Sequence, residues 1–201
     1  MAPLPREPVF RLYDRHVPLW RKLRRTDLIE RAWLDRFLAA LPPGPVLDLG
    51  CGNGVPIAAW LIGQGRTLTG VDGAPGLIAE AQIAFPDQTW IIADMRNFET
   101  AERFAGILLW HSLFHLSPDD QRHLLARLAD LALPGAALMF TSGSADGVSL
   151  GEFGGEELYH ASLDLAEYRA LLDRAGFDIL DHVLSDQSCG GATVWLARKR
   201  S

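Results

Sequence analysis

The residues best suited to chemistry lie in one stretch, Val46-Leu47-Asp48-Leu49-Gly50-Cys51-Gly52-Asn53-Gly54. Its first half is apolar except for Asp48, the pattern of a strand buried on both faces. Its second half has glycines at alternate positions and leads into an apolar run from Pro56 to Ile62, which reads as strand, tight turn and helix. Glycine is needed where the backbone takes positive φ, or where a ligand approaches closer than a Cβ allows. The turn also exposes the first free N–H groups of the helix, a site for an anionic group. Two further acids close apolar runs: Asp72 follows Leu68-Thr69-Gly70-Val71, and Asp94 follows Thr89-Trp90-Ile91-Ile92-Ala93. A carboxylate ending an apolar strand is costly without a partner. The stretch is therefore read as a loop that holds a small molecule.

Two ligand classes compete for it. A dinucleotide site requires G-x-G-x-x-G and an acid about 20 residues later. Here Gly54 comes one residue early, and Asp48 stands where that motif asks for no acid. The pattern V-L-D-L-G-C-G-x-G followed by G-V-D resembles instead the cofactor motif of Rossmann-like (class I) S-adenosylmethionine-dependent methyltransferases, and the likeness runs from Val46 to Gly143. It implies an α/β fold with a doubly wound, seven-stranded, mostly parallel sheet, S-adenosylmethionine as cofactor and a small-molecule methyl acceptor. It also implies roles. Gly50, Cys51, Gly52 and Asn53 would give backbone contacts to the methionine moiety, with Asp48 reaching its ammonium directly or through water. Asp72, followed by Gly73, would accept the ribose hydroxyls. Asp94 and the Met95 N–H would meet the adenine, with Leu77 on its face in place of a common methionine. Trp110 would lie nearest the sulfonium, beside His111, where related sequences often carry an acid. Ala74 stands where Ser or Thr is frequent, so the helix after Asp72 lacks its usual side-chain cap.

Methyl transfer is an in-line displacement whose leaving group the sulfonium already supplies, so alignment is the protein's main task. A general base is needed only for an acceptor protonated at working pH. The candidates are His115, in W-H-S-L-F-H-L, together with Tyr159 and His160, which follow a glycine-rich stretch and would line the acceptor pocket. Tyr13, His16 and Trp20 are candidates for a cover over the cofactor, with core packing as the competing reading. His111 and His115 are four apart, but that spacing unites two metal ligands only on a helix, and this stretch leaves a strand. No metal is expected. Two other functions stay open: a non-catalytic protein that binds S-adenosylmethionine or S-adenosylhomocysteine, and an NAD(P)-binding oxidoreductase. The latter is the poorer, since Lys22 and Lys199 are the only lysines and no Tyr-x-x-x-Lys pair exists.

The elements that must position these residues alternate between strand and helix, which predicts a parallel sheet. The closing strands, Phe177–Leu184 and Ala192–Ala197, predict an antiparallel C-terminal hairpin. Before the first strand, apolar spacing predicts a helical segment broken by Pro18, then a helix capped by Thr26 that buries Ile29, Ala32, Trp33, Phe37 and Ala40. The 201 residues are read as one domain, with an N-terminal helical cover over 1–41 and a cofactor-binding core over 42–201 that contains a glycine-rich loop at 143–160. That loop is expected to be flexible without a ligand.

With 48% hydrophobic and 22% charged residues, the composition is that of a soluble globular chain. No run approaches the ~20 apolar residues of a membrane helix, and Met1–Pro5 has no signal-peptide apolar region. Two cysteines are too few for a disulfide framework, so the reducing cytoplasm is the expected compartment. Net charge is −6, yet residues 1–40 hold nine Lys/Arg against five Asp/Glu. These are interleaved as on a solvated helix face. Neither a nucleic-acid nor a membrane partner is expected, and a monomer or homodimer is.

Overall fold

The computed structural model describes residues 4, 5 and 7–201. Residues 1–3 and 6, which include most of the leader and the start of the expected cover, lie outside the described residues. The strands are β1 (Val46–Leu49), β2 (Leu68–Asp72), β3 (Thr89–Ile92), β4 (Phe104–Leu109), β5 (Ala132–Ser142), β6 (Gly147–Phe153), β7 (Glu156–Ser162), β8 (Phe177–Asp186) and β9 (Ala192–Lys199). Seven of them form one sheet in the order β3-β2-β1-β4-β5-β9-β8. β1 to β5 run parallel, and β9 pairs antiparallel with both β5 and β8. The strand order reverses between β1 and β4, and ligands of open α/β sheets bind at the carboxyl ends flanking such a switch.

Side chains that alternate along each strand fill two cores. On one face Leu47, Leu49, Ile107, Leu109, Leu138 and Phe140 pack with α6 (Pro118–Leu131) and α7 (Leu165–Arg174). On the other, Val46, Leu68, Leu108 and Met139 pack with α3 (Arg31–Ala40), α4 (Ile57–Gly63) and α5 (Pro75–Ala84). The strands are thus buried on both sides, as their unbroken apolar runs require. The expected caps of α6 are present: Ser117 accepts the Asp120 N–H, and Pro118 occupies the first turn.

The N-terminal region differs from expectation in detail. It breaks into α1 (Val9–Arg15) and α2 (Val17–Leu23), with Pro18 inside the first turn of the second, where a missing N–H is harmless. Thr26 caps nothing. Leu28 takes φ +49, which interrupts any helix begun there, and α3 starts five residues after Thr26. Its buried face is Trp33, Leu34 and Phe37, leaving the expected Ala32 exposed.

The expected glycine-rich loop is an antiparallel hairpin, β6–β7, outside the main sheet. Gly154 and Gly155, at φ +64 and +80, form its two-residue turn between the paired Phe153 and Glu156. Positive φ at both central positions is what such hairpin turns demand. Tyr159 and Ala161 pack with Val9, so the hairpin lies against α1.

Candidate functional site

The turn after β1 carries Gly50, Gly52 and Gly54 at φ +81, +57 and +81, conformations L side chains rarely adopt. Gly50 is also closely packed: a Cβ there would stand 2.3 Å from the Ser112 Cβ. Ser112 in turn donates its hydroxyl to the Leu49 carbonyl at 2.7 Å. This joins the ends of β1 and β4 at the switch point.

A cleft with a cavity volume of about 160 Å³ opens there. Gly50, Cys51 and Gly52 form its floor on the β1 side, Asp72, Gly73 and Leu77 on the β2 side, and Asp94 and Met95 beyond β3. Trp110, His111 and His115 line it after β4, and Tyr13 and Trp20 from the N-terminal helices. Thirteen of the cofactor-side candidates and catalytic candidates named from sequence therefore share one cleft.

The others sit elsewhere. Asp48 is buried behind the loop, in a small void with Arg24, Gly54 and Trp110. Burial lifts its carboxyl to about 7, against the opposing pull of the Arg24 guanidinium. Asn53 turns away, its amide donating to Glu80 at 3.0 Å while its carbonyl oxygen accepts the Val55 N–H. Tyr159 and His160 do not reach the cleft. Strand alternation buries the Tyr159 ring beneath α1, its hydroxyl without a partner among the described residues. His160 packs on Phe114 and His115, with ring centroids 5.4 and 4.9 Å away.

Within the cleft, Asp72 accepts the N–H groups of Gly52 and Ala74, each at 2.9 Å. Burial raises its pKa, and these backbone donors partly oppose the rise. Asp94 is held by Arg96, whose Nε lies 2.9 Å from Oδ2. His115 has both ring nitrogens engaged: Nδ1 donates to the Tyr159 carbonyl at 3.0 Å, and Nε2 accepts the Tyr13 hydroxyl at 2.9 Å. Desolvation lowers its pKa to about 3, so it is a neutral acceptor that orients Tyr13. His111 is also neutral, its pKa lowered to about 4 by burial and then by nearby Arg24. Its backbone sits at φ +53, uncommon for this residue type and costly enough to need support. The Thr141 hydroxyl supplies some, accepting the His111 N–H at 2.9 Å.

The roof is α1 and α2. Phe10 lies over Gly73, where a Cβ would come within 2.3 Å of its ring, and Trp20 lies over Gly52. Asp14 accepts the Gly76 N–H at 2.8 Å. Among the lining residues that the sequence reading did not single out are Phe10, Arg24, Arg96 and Ser112. Arg24 follows Trp20 by one helical turn, a spacing that puts the two side chains on one face. Arg96 had no comparable signal.

The residues fit a nucleoside carrying an amino-acid end. The cleft combines an acid at the end of β2, apolar faces from Leu77, Met95 and Phe10, and a guanidinium at the end where β1 and β4 meet. A family of methyltransferases, described as Methyltransferase domain, matches residues 13–182. The chain belongs to this methyltransferase domain family. Trans-aconitate 2-methyltransferase from Escherichia coli O1:K1 / APEC is 33% identical over 94 residues, 44% of this chain and 36% of the relative. The chain thus spans about a third of the length of the curated relatives it matches. Among solved structures, an S-adenosylmethionine-dependent methyltransferase from Clostridium acetobutylicum ATCC 824 aligns with a TM-score of 0.72 at 15% identity, over 94% of this chain and 100% of that one. CalS10, an amino pentose methyltransferase from Micromonospora echinaspora solved with S-adenosylmethionine bound, gives 0.68 at 17% identity, over 99% and 100%. Identities this low speak for the fold, and the methyltransferase domain here has the seven-stranded sheet that its sequence motif implied.

Proposed function

We propose that this methyltransferase domain transfers the methyl group of S-adenosylmethionine to a small molecule. The observation that carries the reading is the single cleft at the β1–β4 switch, where the glycine turn, Asp72 and Asp94 converge under the two N-terminal helices. When bound, the cofactor supplies an activated methyl group on a sulfonium with a neutral thioether as leaving group.

The chain's own residues hold and shield it. Asp72 accepts ribose hydroxyls, at the carboxyl end of β2 where acids of Rossmann-like sheets do so. Arg24 takes the carboxylate of the methionine moiety, since the only hydrogen bond its guanidinium makes among the described residues is to the Val55 carbonyl at 3.3 Å. Asp48 lies close enough to Arg24 and Gly50 to favour the ammonium. Leu77 and Met95 cover the base. Tyr13, fixed by His115, and Trp20 exclude water above the reacting atoms, so alignment is the main source of the rate. Cys51 and Cys189 are free thiols, in keeping with a reducing cytoplasmic setting.

Calorimetry tests the reading. S-Adenosylhomocysteine should bind, and NAD and NADP should show no comparable affinity. Tight nicotinamide binding without homocysteine binding overturns it, whereas binding without methyl transfer to any metabolite would favour the non-catalytic alternative.

A further inference from the structure

A second cavity of about 200 Å³ adjoins the cofactor cleft. Leu23, Ile29, Glu30, Trp110, His111 and Cys189 line it, and it shares Trp110, His111 and Arg24 with the cleft. The larger hollow beside the hairpin, walled by Phe114, Ser142 and His160, shares no residue with the cleft. A methyl acceptor must touch the wall nearest the sulfonium, which favours the smaller cavity.

Its walls are built. Trp33 donates its indole N–H to Asp186 at 2.8 Å, tying α3 to the β8–β9 turn that carries Cys189. Ile29 packs against Gly190 of the same turn, its Cδ1 3.3 Å from where a Cβ would stand. The strained backbone of His111 turns its neutral ring between the two spaces.

Glu30 is the unusual member. It is only 5% exposed, yet its carboxylate has no hydrogen bond or ion pair among the described residues. Nearby Arg25 is committed to Asp27, at 3.0 Å through its Nε. Its oxygens are not sealed from solvent at the cavity wall, which Arg24 and Arg25 also line, so the carboxylate stands as an acceptor open to the N–H of a ligand.

Resting on the methyltransferase reading above, we infer that this cavity seats the methyl acceptor and that the acceptor is a small amine whose nitrogen faces Glu30. The nitrogen lone pair forms the new bond to the methyl carbon as the carbon–sulfur bond breaks, and its electron pair stays on sulfur. The proton leaves nitrogen for the Glu30 carboxylate and then solvent. Leu23, Ile29 and Trp110 receive the apolar part of the molecule.

The test uses the full chain, labelled S-adenosylmethionine, and a panel of small amines, carboxylic acids including trans-aconitate, and alcohols of about a dozen heavy atoms or fewer. Turnover should be confined to amines. Glu30→Gln should lower kcat/KM at least tenfold, with partial recovery in Glu30→Asp and a dissociation constant for S-adenosylhomocysteine within twofold of the parent. Glu30→Gln keeps the size of the side chain and breaks no hydrogen bond among the described residues, so its Tm should hold, whereas a structural carboxylate would give a fall. Turnover of acids or alcohols that is indifferent to Glu30→Gln overturns the inference, as does the absence of turnover with every amine. Failure of the parent protein to bind S-adenosylhomocysteine is a different result and overturns the parent reading instead.

Discussion

Asp14, on the first helix, accepts the Gly76 N–H at 2.8 Å and so caps a helix that belongs to the cofactor core. Helix α5 has Ala74 at its own N-cap and no side-chain cap there. The roof thus supplies a cap that the core lacks. Asp14→Ala should cost ~0.5–2 kcal/mol, the usual loss for a helix cap. Urea denaturation measures it. The same variant should bind S-adenosylhomocysteine more weakly, because α1 loses an anchor beside Phe10 and Tyr13. A stability loss with unchanged affinity would show that the roof does not take part in binding.

Asp72 offers a more direct case. Its carboxylate holds the Gly52 and Ala74 amides and faces the cleft. Hydrogen bonds to charged groups are worth ~1.5–3 kcal/mol, so Asp72→Ala should weaken S-adenosylhomocysteine binding by roughly ten- to a hundredfold. Calorimetry decides, and an unchanged dissociation constant would show that the ribose lies elsewhere.

What could be read from the sequence follows from how local each signal is. The sheet was legible because its strands are unbroken apolar runs between glycine, proline and acid, and because the glycines at 50, 52 and 54 demand a turn. The α6 cap was equally local, Ser117 and Pro118 being adjacent. The hairpin was missed although Gly154-Gly155 is a strong hairpin turn, because the glycines at 143, 147 and 151 diluted the alternation around it. The start of α3 was misplaced because Thr26 and Asp27 look like a cap, whereas Asp27 is taken up by a surface ion pair with Arg25, two residues before it, and Leu28 takes a positive φ that breaks the helix. For the site, the strand-end acids were visible, but the places of Arg24 and Glu30 depend on residues far along the chain, and Arg96, although its partner Asp94 is only two residues away, stands in no motif that points to a site. Strand register alone aims Tyr159 away from the cleft, and that register could not be read before the hairpin was known.

Asp48 makes stability depend on pH. Burial raises its folded pKa from 3.8 to about 7. Between these values the folded state holds a proton that the unfolded state has released, so stability falls as pH rises across that window and levels off above it. Asn cannot ionise and escapes the loss. The Tm difference between Asp48→Asn and the parent should therefore shift in favour of the variant from pH 4 to pH 7, then stay level to pH 8. A difference constant across the range would mean that Asp48 is ionised throughout.

Gly52 and Trp20 form a testable couple. A Cβ at Gly52 would come within 2.8 Å of the Trp20 ring, and Gly52 sits at φ +57. Gly52→Ala should cost ~1–2 kcal/mol for the left-handed backbone, plus the clash. Trp20→Ala should remove the clash but leave the backbone cost. In a double-mutant cycle by urea denaturation, the two changes together should therefore cost less than the sum of each alone. Strict additivity would place Trp20 away from the loop.

The last prediction joins the roof to the hairpin. Tyr13 meets Phe153 edge-on at 5.1 Å between centroids, and Glu156 pairs with both Arg15 and His16, at 2.7 and 2.8 Å. The hairpin lines no described part of the cleft, so it senses the cofactor through α1 and through His115, which lines the cleft and donates to the Tyr159 carbonyl of β7. Hydrogen exchange with and without S-adenosylhomocysteine should show amides of α1, α2 and the β6–β7 hairpin slowing together. In Glu156→Gln the helices should still respond while the hairpin responds less, since that exposed pair is one of the links between them. If the hairpin slows and α1 does not, the roof is not the transmitting element. If neither responds, the helices are packing alone, and the cleft closes by some other movement.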